Sequence, residues 1–205
     1  MRLVTGNSIL QADIDKVSVR IVSGGHSFSV EGLPRKAFDE GVTVEFQVIT
    51  PKSLLVPAEA FDAASAAGLL AVAGIGCTPA EEPLCIVAGD KVAVAAVATQ
   101  CLARIDENFG TRAAFTSPLL EECDADGCKL YIRTFGDCCC LRVCENGRLR
   151  FAEIMPAATP DEILYYVQTL CDRMECSEYL IYIYGEGASE SAKLLRRYFK
   201  RVKCE

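Results

Sequence analysis

Histidine is almost absent from this chain: His26 is the sole one in 205 residues. That scarcity leaves a cysteine or serine nucleophile short of a histidine base. Gly25-His26-Ser27 invites comparison with a serine-hydrolase elbow, but the second glycine is missing and no other histidine exists to act as base. A turn or surface role is therefore expected for His26. The two commonest nucleotide-binding loops are missing too, since the chain has no G-x-x-x-x-G-K-[ST] and no G-x-G-x-x-G. The opening MRLVTGNSILQADIDK has no apolar run between a basic start and a small-residue cleavage site. It does not read as a secretory signal, and a cytoplasmic location is expected. The most apolar stretch, residues 54–75, contains Pro57, Glu59 and Asp62, whose carboxylates would be costly in lipid, so no membrane insertion is expected.

What is present is a chain long enough to bury a real core, as one large domain or two subdomains. Hydrophobic residues make up 51% and charged residues 24%, and no stretch has the high charge and low hydrophobicity of a disordered tail. A net charge of −7 opposes binding to phosphate backbones, so no nucleic-acid partner is expected. One local exception stands out, because Lys193, Arg196, Arg197, Lys200, Arg201 and Lys203 crowd the last helix and the residues after it. They read as a solvated helix face, favourable near a helix C-terminus, or as a docking patch for an acidic partner.

Twelve cysteines would normally suggest disulfides or metal. In a cytoplasmic setting stable disulfides are opposed, so reduced thiols are expected. Zinc hooks need a Cys-x2-Cys pair, and none occurs; no metal site is expected. Cys123 and Cys128 lie across a turn. Cys138, Cys139, Cys140 and Cys144 fall on one strand, where alternation places Cys138, Cys140 and Cys144 on one face and Cys139 on the other. They are expected to pack as small apolar side chains.

Along the chain, residues 17–22 (VSVRIV) and 26–31 (HSFSVE) read as two strands about a glycine turn, and residues 42–49 (VTVEFQVI) as a third. Pro57 opens an alanine-rich helix of about a dozen residues. Residues 86–97 read as a hairpin bending at Gly89-Asp90-Lys91, followed by a helix over 99–108 and a strand over 113–116. The second half is plainer. Strands at 130–135, 138–144 and 149–154 turn at Gly136-Asp137 and Asn146-Gly147. Thr159-Pro160-Asp161-Glu162 is a capping box, and Ile163, Val167, Leu170, Cys171 and Met174 line one face of the helix it opens. The apolar run 179–184 (YLIYIY) reads as a strand buried on both faces, closed by Gly185-Glu186-Gly187 before a last helix over 190–200.

The second half is thus strand, strand, strand, helix, strand, helix, and the first half can be read the same way with insertions. VRIVSGGHSFSVEG can be laid beside IRTFGDCCCLRVCENG, with Arg20 opposite Arg133. By fold-level analogy this is an α/β plan of two related subdomains, each with a mixed sheet and helices, as in the ribonuclease H-like, actin-like ATPase fold. The division expected is an N-terminal segment over 1–16, a first subdomain with an insertion over 17–127, and a second over 128–205.

The opening VSVRIVSGGHSFSVEG, the VP-x-x-x-F segment at 56–61 and the tail TPDEILYYVQTL…YLIYIYGEGA resemble an uncharacterised bacterial family, domain of unknown function 3822. The resemblance spans about 17–202 and implies an actin-like ATPase fold. In such ATPases two glycine hairpins offer N–H groups to the phosphates, and aspartates on adjoining strands hold magnesium, which needs hard oxygen ligands. By that implication the nucleotide-contacting candidates are Ser23, Gly24 and Gly25 in the first hairpin, Gly136 and Asp137 in the second, and Gly185, Glu186 and Gly187 at the adenosine loop. The first hairpin has no acid between residues 19 and 25, and the second has Asp137 alone. The expectation is a non-catalytic scaffold or adaptor with a protein partner and no cofactor. The alternative is an ATP- or ADP-binding protein, with magnesium, whose hydrolysis is weak or absent.

Overall fold

The computed structural model describes residues 2–5, 16–22 and 33–205. The expected strand over 26–31, His26 and the candidates Ser23, Gly24 and Gly25 lie outside the described residues. The chain divides into one compact unit ending at Leu120 and a second, Glu121–Glu205. The sequence reading had put that division at 127/128.

The first unit contains β1 (Arg2–Thr5), β2 (Lys16–Val22), β3 (Thr43–Ile49), β4 (Ser53–Pro57), α1 (Ala66–Val72), β5 (Glu81–Ala88), β6 (Lys91–Ala98), α2 (Thr99–Phe109) and β7 (Ala113–Thr116). Strands β2, β3 and β7 form a parallel sheet in that order. Alternation in β3 buries Val44, Phe46 and Val48 and leaves Glu45 and Gln47 half-buried. Phe46 packs between Phe109 of α2 and Phe115 of β7, with ring centroids 5.5 and 5.7 Å away.

The insertion between β3 and β7 joins β1 in a second sheet, ordered β1-β5-β6-β4, made of the expected β5–β6 hairpin and two strands the sequence did not reveal, β1 and β4. The helix expected after Pro57 is much shorter. Pro57 instead ends β4, two 3-10 turns follow, and Asp62 accepts from the Ala64 N–H and the Ser65 hydroxyl before α1 begins at Ala66. An aspartate that bonds its own backbone stops one element and starts another. Ala66 and Leu70 of α1 then bury against Val56, Cys85, Val92 and Val94.

The second unit contains β8 (Cys128–Phe135), β9 (Cys138–Glu145), β10 (Arg148–Pro156), α3 (Pro160–Met174), β11 (Leu180–Glu186), α4 (Ala188–Leu195) and β12 (Val202–Cys204). Their sheet is ordered β10-β9-β8-β11-β12, with an antiparallel meander on one side and β11 and β12 parallel to β8 on the other. The capping box forms as read: the Glu162 N–H donates to the Thr159 hydroxyl, and the Thr159 N–H to the Glu162 carboxylate. Ile163, Val167, Leu170 and Cys171 pack with Ala192 and Leu195 over Leu130, Ile132, Leu141, Val143, Ile181 and Ile183.

Two readings here need correction. The 179–184 run is not buried on both faces: Ile181 and Ile183 face the core, while Tyr182 and Tyr184 are half-buried on the side away from it. The last helix ends at Leu195, because the chain must turn there to bring β12 alongside β11. The two units nevertheless share a motif. Parallel strands β8-β11-β12 in the second repeat the parallel order β2-β3-β7 of the first.

Candidate functional site

Register brings the two glycine segments of the second unit together. Pairing of β8 with β11 sets Gly185 opposite Thr134 and Glu186 opposite Phe135, one residue before the β8–β9 turn at Gly136-Asp137. Gly185 has a φ of +108°, and a Cβ there would lie 2.3 Å from the Thr134 carbonyl oxygen, so only glycine fits. Gly136 has a φ of +90°, and a Cβ there would meet the Glu186 carboxylate at 3.5 Å. Glu186 therefore lays its negative charge directly against the glycine turn.

A cavity of about 200 Å3 opens beside this contact, lined by Thr134, Gly136, Thr159, Glu186, Gly187, Glu190 and Ser191, among others. Among the predicted residues it gathers Gly136, Glu186 and Gly187. Gly185 is not among its lining residues, and Asp137 is exposed beside it, its carbonyl accepting from the Ala157 N–H. Glu190, Ser191 and Thr159 are not legible as site residues in the sequence; the capping box at Thr159 is visible there, but not that it lies beside the glycine turn at Gly136, 23 residues earlier. Among the described residues no lysine or arginine lines the cavity. The N-terminus of α3 offers no free anion site either, because Glu162 accepts from the N–H groups of Ala158 and Thr159, and these bonds hold its carboxyl below the usual range.

The cysteine hairpin behaves largely as a packing element. Cys138, Cys139 and Cys140 are buried, and Cys139 faces α3 within the core. Burial, with Asp137 adding to it, pushes the Cys138 thiol up to about 12; burial likewise takes Cys139 to about 12 and Cys140 higher. Thiols this hard to ionise are poor nucleophiles and poor metal ligands. Cys144 corrects the expectation of reduced thiols throughout: it is bonded to Cys123, with Cα atoms 5.7 Å apart. Both residues lie on the side of the sheet away from the helices, and their separation of 21 residues hid the pairing. Among the described residues no three His, Cys, Asp or Glu side chains form a group able to hold a metal ion.

The face of this sheet opposite the helices carries a row of side chains in direct register: Arg142 of β9, Tyr131 of β8, Tyr182 of β11 and Lys203 of β12. The tyrosine rings stack with centroids 5.5 Å apart, Arg142 caps Tyr131 at 5.1 Å and Lys203 caps Tyr182 at 5.4 Å. Glu121 joins Arg133, Arg142 and Tyr184 in one network beside them. The ring faces on this row are thus already partnered within the unit.

Compared with solved structures, the chain is similar to a Bacteroides thetaiotaomicron protein of unknown function described as having an actin-like ATPase fold. The TM-score is 0.69 at 13% identity, covering 84% of this chain and 72% of that one. The fold is that of the actin-like ATPases. A PilM–PilN type IV pilus biogenesis complex is also similar, with a TM-score of 0.51, 12% identity, and the same shares of 84% and 72%. No family model and no curated protein matches the sequence. At these identities the likeness establishes the actin-like fold, which the sequence reading expected. Among the described residues, no helix is long and apolar enough to cross a membrane.

Proposed function

We propose that this chain is a non-catalytic actin-like protein, a cytoplasmic scaffold or adaptor that binds another protein, belonging with domain of unknown function 3822. The observation that carries this reading is the Glu186 carboxylate lying against Gly136. An actin-like ATPase would use the N–H groups of such a turn for phosphate. Here the exposed Glu186 carboxylate faces that turn, Glu190 adds a second at the cavity, and among the described residues no lysine or arginine lines it. A polyphosphate would be repelled, and two carboxylates without a third donor group offer magnesium a poor seat. The residues of the second unit therefore do not fit a magnesium nucleotide. PilM in its complex with PilN is a protein of this fold with a protein partner, which supports the adaptor reading by analogy alone.

A second reading, nucleotide binding with weak or absent hydrolysis, draws on one fact: Gly136, Glu186 and Gly187 converge on one cavity. The adaptor reading expects the protein, purified from its native host under gentle conditions, to elute with one partner in fixed stoichiometry. Repeated recovery of the chain alone would oppose it.

A further inference from the structure

Six of the chain's 21 cations fall within residues 193–203, a run without one acid, so the remainder of a chain of net charge −7 carries −13. The structure divides these six. Lys203 points to the opposite face of the sheet, over Tyr182, and Arg201 donates to the Glu178 carbonyl. The other four share one surface. Ala188, Ser191, Ala192 and Leu195 of α4 face the core, and Phe199 in the turn after it continues that buried face. Lys193 near the end of α4, Arg196 and Arg197 in the turn that follows it, and Lys200 just beyond are all exposed.

Two details separate this surface from an ordinary solvated face. The second unit contains 15 acids, and its cations Lys129, Arg133, Arg142 and Arg150 each contact one. None of the four on this surface has an ion pair among the described residues; Arg196 makes one long bond, to the Val202 carbonyl. In their midst Tyr198 stands 59% exposed, one of the few large apolar side chains the described residues leave in solvent. Tyrosine with arginine is the composition of an interface hot spot, and it is seldom needed on a bare helix face.

We infer that this surface docks a short acidic segment of a partner protein, with Tyr198 as its apolar anchor. This rests on the adaptor reading above and gives that adaptor's partner a chemistry. Charge complementarity selects the occupant. The end of α4 and the turn after it are short, with room for a few carboxylates. A longer polyanion, a nucleic acid strand or an anionic bilayer, would run onto Glu186 and Glu190 at one end of the helix and meet the field of a strongly negative remainder.

The test uses the full chain and a fluorescein-labelled glutamate- and aspartate-rich decapeptide with one central phenylalanine, followed by anisotropy. Binding is expected at low ionic strength, weakening as salt shortens the screening length. The combined change Lys193→Glu, Arg197→Glu, Lys200→Glu should weaken it at least about tenfold, or 1.4 kcal/mol. The same three positions changed to Gln should give a smaller loss with no repulsion, and Tyr198→Ser should weaken binding with every charge kept. No binding of the peptide, binding unchanged by the reversal, or tighter binding to oligo-dT or to phosphatidylserine vesicles would overturn the inference. The two readings fail differently. A stoichiometric partner retained by the charge-reversed chain would remove this surface and keep the adaptor; nucleotide binding by the chain would remove the adaptor without moving the anisotropy.

Discussion

Arg142 holds Glu121 at two points: its Nη2 donates to the carboxylate at 2.7 Å and its Nη1 to the main-chain carbonyl at 2.8 Å. The guanidinium is 5% exposed, so its charge depends on that partner. Glu121→Ala leaves a buried cation with no carboxylate, only the main-chain carbonyls of residues 121 and 122 and the Tyr184 hydroxyl as acceptors. The expected loss is about 3 kcal/mol. Arg142→Met should cost less, because Glu121 keeps Arg133 and Tyr184. Urea unfolding of both variants measures this; equal losses would show that the guanidinium does not depend on the carboxylate.

The two turn glycines separate steric from conformational cost. Gly185→Ala forces a Cβ to 2.3 Å from a backbone oxygen that cannot move without breaking the β8–β11 pairing. The expected loss is at least about 3 kcal/mol. Gly136→Ala has ordinary contact distance and only its positive φ to contend with, at about 1–2 kcal/mol. Thermal melts that rank the two the other way would contradict this placement of β8 and β11.

The Cys123–Cys144 bond closes a loop whose ends are 21 residues apart. Chain-entropy reasoning gives it about 3 kcal/mol. Adding dithiothreitol should destabilise the wild type by about that amount and leave the Cys123→Ser, Cys144→Ser double variant unmoved. Equal sensitivity in both would place the reducible bond elsewhere.

Acid should act on the α3 cap. Hydrogen bonds from Ala158 and Thr159 lower the Glu162 carboxyl in the folded state. A lowered folded value means the stabilisation is fully present above the unfolded value of about 4.3 and is lost as pH falls through the folded one. Glu162→Gln should therefore melt below the wild type at pH 7 and converge with it near pH 3. A gap that widens in acid would reverse the sign. Thr159→Ala, which removes the reciprocal half of the box, should cost about 1 kcal/mol.

Much of the second unit was legible because its signals are local. Thr159-Pro160 with Glu162, the Asn146-Gly147 turn and the alternation of 130–135 each name their element without reference to anything distant. What escaped depends on distance. β1 is four residues long and is a strand only because β5 lies beside it, and Cys144 finds Cys123 only because the segment after Leu120 crosses the sheet. The glycine candidates were visible in sequence, but the contact of Glu186 with Gly136 follows from parallel register between strands some 50 residues apart, which no local pattern encodes.

The proposed loss of nucleotide binding rests on the Glu186 carboxylate standing against the Gly136 turn. Its most direct test is the melting temperature of the full chain in millimolar ATP or ADP with magnesium. Ligand at about 100 times its dissociation constant would add roughly 2.7 kcal/mol. No shift is expected with either nucleotide; a dose-dependent, magnesium-requiring rise would show that the turn still takes phosphate.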